Sequence, residues 1–294
     1  MSSSAPILAA TDFSLPAHHA VRRAARLART LGAPMALMHV METMPLQPLS
    51  AWLGADPGAE QQMHDATRQQ LSELADELRR EFAVQVSTLH TAGAVVEDLL
   101  IESSSLRARC VVVGSRGAAP LQRLVLGTTT DRLLRRASQP VLVVRKADAT
   151  PYRRVLVPVD FSPVSAQLLA LARQFAPQAR PVLFHAFEPP FESKLRRAGV
   201  SDDMLALRAQ QVRVQALQQM QGLAEAQGLL PGEWDGELLE GDAKALLLIE
   251  EVRCDLVVIG KHGQSAVQDL LLGSVTNHLL AHGHADVLVV PNAP

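Results

Sequence analysis

The chain repeats itself. ILAATDFS (7–14) returns as VLVPVDFS (155–162), PMALMHV (34–40) as PVLFHAF (181–187), VVVG (111–114) as LVVIG (256–260), and PVLVVR (140–145) as ADVLVV (285–290). Gly93 in TAGAVVEDLL likewise matches Gly241 in LEGDAKALLLIE. Corresponding residues stand 146 to 148 positions apart throughout. A repeat of this length is one folding unit used twice, and each copy must bury its own core. The full length of 294 residues suits two ordinary domains. The copies meet in the polar, Pro-containing stretch 146–153, which predicts domains over 1–146 and 152–294.

Inside a copy, short β-branched runs alternate with amphipathic stretches. In the first half this predicts strands at 6–11, 34–40, 84–89, 110–114 and 140–145, with helices near 16–31, 60–81, 95–105 and 127–137. In the second half, 204–228 reads as a long amphipathic helix packed on its own sheet. Strict strand–helix alternation implies right-handed crossovers and a parallel sheet covered on both faces. Composition agrees: 48% of residues are hydrophobic but only 3% aromatic, so the cores are built from Ala, Leu and Val. In such sheets ligands bind at the carboxyl ends of the strands, where the strand order reverses.

One motif sits at that end in each copy. GSRGAAPLQRLVLGTT begins at Gly114, and GKHGQSAVQDLLLGSVT begins at Gly260. In both, two glycines lie three apart and a third follows ten residues later, just before a hydroxyl. Gly114 and Gly117 expose backbone amides at a strand end, and Gly127 allows close approach at the start of a helix. Thr128 and its neighbours then occupy the helix N-terminus, where unpaired amides and the dipole favour an anion. A nest of amides beside a helix N-terminus suits a polyphosphate. Neither GxGxxG nor GK[ST] occurs, which excludes the dinucleotide fingerprint and the P-loop. A plain turn with a capped helix is the alternative reading of either copy taken alone.

With these residues in view, the chain resembles the universal stress protein family, in tandem form. The motif G-x2-G-x9-G-[S/T] is that family's ATP-binding signature, and both halves carry it complete. The resemblance implies two Rossmann-like α/β domains, each a five-stranded parallel sheet in the order 3-2-1-4-5 with helices on both faces. It also implies ATP, carrying Mg2+ on its phosphates, as the ligand. Position by position, Asp12 and Asp160 match the acidic residue at the adenine and ribose end, and Val40 and Ala186 the residue whose backbone reads the adenine edge. Gly114, Gly117, Gly127 and Thr128 match the ribose and phosphate grip, as do Gly260, Gly263, Gly273 and Ser274. Thr129, Thr130, Val275 and Thr276 follow on the helix, and Thr11, Val113, Val159 and Ile259 flank the contacts. The halves depart from each other at Ala10 against Pro158 and at Thr129 against Val275.

Other residues have plainer readings. Asp12 and Asp160 serve equally as helix N-caps, given Ser14 and Ser162 after them. Arg116, Lys261 and His262 read as phosphate neighbours or as solvated loop residues. His39 and His185 read as hydrogen-bonded core histidines, the pairs His18/His19 and His282/His284 as surface residues, and Cys110 and Cys254 as buried small hydrophobes.

A net charge of −2 argues against a nucleic-acid or membrane-surface binder. No apolar run approaches the roughly 20 residues that span a bilayer. The absence of a signal-peptide pattern and of CxxC spacing points to the cytoplasm. Neither motif holds an evident nucleophile or general base. A nucleotide-dependent stress sensor or regulator, read by a protein partner the sequence does not identify, is therefore expected. A slow ATP hydrolase or phosphotransferase, or an interaction scaffold with vestigial sites, are the alternatives. The apolar terminal strands, 140–145 and 286–290, are expected to pair the halves as an intramolecular pseudo-dimer, and a further homodimer stays open.

Overall fold

The computed structural model describes residues 5–42, 59–117, 126–147, 149–187, 200–263 and 271–291. The chain divides into two compact units, Met1–Thr150 and Pro151–Pro294. The first holds strands β1 (Ile7–Ala10), β2 (Met35–Glu42), β3 (Val86–Gly93), β4 (Cys110–Gly114) and β5 (Val141–Val144). Its helices are α1 (Leu15–Leu31), α2 (Ala59–Phe82), α3 (Val95–Ser105) and α4 (Thr128–Arg136). The strands are ordered β3-β2-β1-β4-β5 and all four pairings are parallel.

That order follows from burial. β4 is buried along its whole length, as a strand covered on both faces must be, and it lies beside β1 in the middle of the sheet. β3 shows a mixed, partly exposed pattern and stands at the edge. α1 lies close against the sheet because its buried face is mostly small: Ala17, Ala20, Val21, Ala24, Ala25 and Ala28. Ser14 caps its start by accepting the Ala17 amide at 3.3 Å, and Gly32 ends it in the left-handed region at φ 58°.

The second unit repeats the plan with β6 (Arg154–Pro158), β7 (Arg180–Phe187), β8 (Asp235–Glu240), β9 (Leu256–Gly260) and β10 (Asp286–Val290). Its helices are α5 (Pro163–Phe175), α6 (Asp202–Ala226), α7 (Ala243–Glu251) and α8 (Ser274–His282). Its strands run β8-β7-β6-β9-β10, again all parallel. Each unit is thus a Rossmann-like α/β domain with the strand order reversing beside its first strand.

Two expectations are adjusted. The third strand, expected at 84–89, runs from Val86 to Gly93, because pairing with β2 from Met35↔Val86 to Glu42↔Gly93 sets its ends. Local propensity gave no sign that His90 to Gly93 would extend. The long helix expected at 204–228 is α6, and it buries only its C-terminal half, through Ala216, Met220 and Ala224. Ala216 packs with Phe187 and Leu238, while Met204, Leu207, Val214 and Leu217 stay exposed.

Candidate functional site

The chain leaves β1 through a strained turn. Phe13 adopts φ 61° and Phe161, its counterpart after β6, φ 60°, a region that non-glycine residues occupy at a cost of order 1 kcal/mol. The same contacts hold both. Phe13 packs on His39 with ring centroids 4.7 Å apart, and Phe161 on His185 at 4.5 Å. His39 Nδ1 lies 2.8 Å from the Thr11 carbonyl and His185 Nδ1 2.7 Å from that of Val159, so each Nδ1 carries the proton and donates it. These are the hydrogen-bonded histidines expected at the strand ends. They clamp the start of the turn to the second strand of each unit.

The turn aims an aspartate at the glycine loop. A Cβ on Gly117 would stand 2.8 Å from Asp12 Oδ2, and one on Gly263 3.4 Å from Asp160 Oδ2. A Cβ on Gly114 would meet the Pro16 backbone at 3.0 Å, and one on Gly260 the His262 carbonyl at 3.0 Å. None of these glycines has positive φ. At Gly114 and Gly260 the constraint is therefore space against backbone, not backbone conformation. Gly127 N donates to the Ser115 carbonyl at 2.9 Å and Gly273 N to that of Lys261 at 2.8 Å, which closes each loop onto the helix that follows.

α4 and α8 then begin on Gly127 and Gly273, and neither N-cap supplies a side-chain cap. α1, α6 and α7 are capped by Ser14, Ser201 and Asp242, while α3 and α5, like α4 and α8, start without a side-chain cap. Thr128 and Ser274 open the first turns and are exposed, as is Thr129, while Val275 is half-buried. Thr130 and Thr276 are buried and donate back to the Gly114 and Gly260 carbonyls at 3.0 and 2.8 Å. Those hydroxyls fasten the helix to the end of the neighbouring strand. The stretches between the second and third glycines, 118–125 and 264–270, lie outside the described residues.

In the second unit these parts enclose a cleft of about 640 Å³, within the usual range for small-molecule sites. Its lining brings together all ten residues singled out there: Val159, Asp160, Ala186, Ile259, Gly260, Gly263, Gly273, Ser274, Val275 and Thr276. Phe184, His185, His262 and Leu271 join them. In the first unit Asp12, Gly114, Gly117 and Gly127 converge in the same way. Val113 is buried in β4, Thr11 N donates to the Met38 carbonyl at 2.9 Å, and Val40 lies near the carboxyl end of β2 in register with Thr91.

The two carboxylates differ. Asp12 is exposed, and its Oδ1 accepts the Ser14 amide at 3.0 Å. Asp160 Oδ1 accepts the Ser162 amide at 3.0 Å, the Ser162 hydroxyl at 2.6 Å and the Ser165 hydroxyl at 3.1 Å. Burial by itself would raise the Asp160 carboxyl, but the Ser162 hydroxyl and amide and the Ser165 hydroxyl outweigh it and hold the group below its ordinary range. Asp160 is thus an ionised acceptor at neutral pH. The Cys110 and Cys254 thiols are buried away from this chemistry, and desolvation pushes Cys254 up to about 11.

The starts of α4 and α8 leave first-turn amides without a side-chain acceptor, the kind of donor set that phosphate oxygens accept from. A Cβ at Gly127 or Gly273 would sit 3.4 Å from the Cα of Arg116 or His262, so each helix start lies close against its glycine loop. Among the described residues no group of three or more His, Cys, Asp or Glu is arranged to hold a metal ion. Nor is any described helix long and apolar enough to cross a membrane.

Comparison with known proteins places this arrangement. The chain is 30% identical to a universal stress protein of Mycolicibacterium smegmatis over 305 aligned residues, covering 97% of this chain and 96% of that one. A universal stress protein from Archaeoglobus fulgidus shares its fold over the full length of both chains, with a TM-score of 0.72 at 18% identity. One from Pseudomonas aeruginosa does so with a TM-score of 0.69 at 18% identity, over 98% of this chain and 93% of that one. The universal stress protein family matches twice, over residues 4–145 and 151–291, and the chain belongs to that family.

Proposed function

We propose that each half binds ATP, with Mg2+ on the phosphates, and that the chain acts as a nucleotide-dependent sensor or regulator. One observation carries the reading: α4 and α8 begin uncapped beside a glycine loop that an aspartate turn faces. The first-turn amides, with Thr128 or Ser274, would hold phosphate oxygens. Asp12 and Asp160 would accept the ribose hydroxyls, and the Val40 and Ala186 backbone would read the base. The hydrogen-bonded, ionised Asp160 suits an acceptor better than a general base, which favours binding over hydrolysis.

Isothermal titration of nucleotide-free protein with Mg-ATP tests this. Two equivalents are expected, with one lost in Gly127→Val and one in Gly273→Val. Absence of binding, or two equivalents in both variants, overturns it.

The proposal includes pairing of the halves through their terminal strands, on the sequence grounds above, in a cytoplasmic protein that signals to a protein partner. Cleavage within 146–153 followed by gel filtration tests the pairing. Halves that separate would refute it.

A further inference from the structure

We propose that His39, His64 and His90 form an acid-operated clasp in the first unit, which holds the N-terminal half of α2 on β3 and lets go when His64 and His90 are both charged.

The cluster joins three elements. His39 of β2 and His90 of β3 are register partners, and their rings stack with centroids 5.8 Å apart and 9° between planes. His64, one turn into α2, meets His90 edge-on at 5.2 Å, and its Nδ1 lies 2.9 Å from His90 Nε2. Two ring nitrogens at that distance share one proton: one donates and the other accepts. A pair with no charge or one charge can make this bond. A pair with two cannot, because both nitrogens are then donors and two cations face each other.

The surroundings resist the second charge. His90 Nδ1 is buried and has no protein partner among the described residues to stabilise a second N–H. Burial first, then His39, His64 and Arg68, hold His90 below the usual histidine range. Arg68 of α2 is itself answered by Asp65 at 3.3 Å. The carboxylate that α3 brings to β3, Asp98, is held by the Thr91 hydroxyl at 3.2 Å, and Thr91 points to the opposite face of the strand from His90. Because the folded state prefers neutral His90, docking is strongest above the ordinary histidine value of about 6.5 and weakens as pH falls below it.

The second unit supplies the contrast. His185 repeats the role of His39, but its register partner on β8 is Leu238. The clasp also adjoins the turn, since His39 donates to the Thr11 carbonyl and packs on Phe13. Releasing His90 from His39 removes a stacking neighbour from the residue that fixes Asp12. The effect on nucleotide at that turn rests on the ATP reading; the clasp itself does not.

Amide hydrogen exchange on the full, nucleotide-free chain tests the clasp. After correction for intrinsic rates, protection over 61–70 should fall about tenfold or more between roughly pH 7.5 and 5. Over the C-terminal half of α6 it should hold. His90→Leu, which installs the residue found opposite His185, and His64→Gln should both flatten the response. No pH response in the wild type, or an equal one in both variants, overturns the proposal. With Mg-ATP present, affinity at the first site should fall over the same range only while His90 is in place. Since the exchange arm contains no nucleotide, failure of the ATP reading and failure of the clasp give different results.

Discussion

The turns after β1 and β6 share a backbone but not an electrostatic setting. In both, a phenylalanine sits near φ 60° and a histidine donates to the carbonyl before the aspartate, and in each unit a buried threonine of α4 or α8 donates to a glycine carbonyl. Yet Asp160 is gripped by Ser162 and Ser165, whereas Ala17 occupies the position of Ser165 beside the more exposed Asp12. Opposite the clamp histidines stand His90 in one unit and Leu238 in the other. The parts that shape the loops were kept. The parts that set charge around them were not, so two turns of one backbone geometry are tuned apart.

Substitutions can break or sharpen that comparison, and the largest effect is expected where space is tightest. Gly114→Ala presses a methyl against the backbone of both Pro16 and Arg116, at 3.0 and 3.1 Å, and should cost about 1–3 kcal/mol. Gly260→Ala meets one backbone carbonyl at 3.0 Å and then the Val164 side chain at 3.6 Å, which has room to move, so its cost should be smaller. Calorimetry of both variants checks the ranking, and equal losses would mean the loops are not packed differently. Thr130→Val and Thr276→Val each remove one buried bond to a glycine carbonyl. Each should cost about 0.5–1.5 kcal/mol by urea unfolding, with the two values alike. A large disparity would show that the fastening is not conserved between the units.

The smallest expected effect is a titration. Ser165→Ala should raise the Asp160 carboxyl toward its ordinary value, read by carboxyl-carbon NMR. The stability that Asp160 contributes is present above the usual aspartate value of about 3.9 and is lost as pH falls through its depressed folded value. The Ser165→Ala variant should therefore lose less stability on acidification than the wild type. An unmoved Asp160 would assign its setting to the hydrogen bonds other than that of Ser165, Ser162 first.

Much of this was legible in the residues. The repeat, the parallel α/β pattern, β4 at 110–114 and α3 at 95–105 follow from periodicity, because a covered parallel strand must be apolar throughout and a helix must present one apolar stripe. The glycine spacing marked the loops and the helices that follow them. It was silent on the surroundings of the third glycine: φ is ordinary at Gly127 and Gly273, and the 115–117 and 261–263 backbones approach to 3.4 and 3.3 Å of where a Cβ would stand.

Sequence by itself determined the duplication, the class of fold and the loops that face the clefts, since these depend on local patterns repeated along the chain. Tertiary structure decided the left-handed Phe13 and Phe161, the extension of β3 to Gly93, the inward turn of Thr130 and Thr276, and the meeting of His39, His64 and His90. Each of these depends on a partner 16 or more residues away or, for the strained turns, on a ring from the next strand that holds an unfavourable backbone in place. Such partners meet only when the sheet assembles, so no window along the sequence contains them.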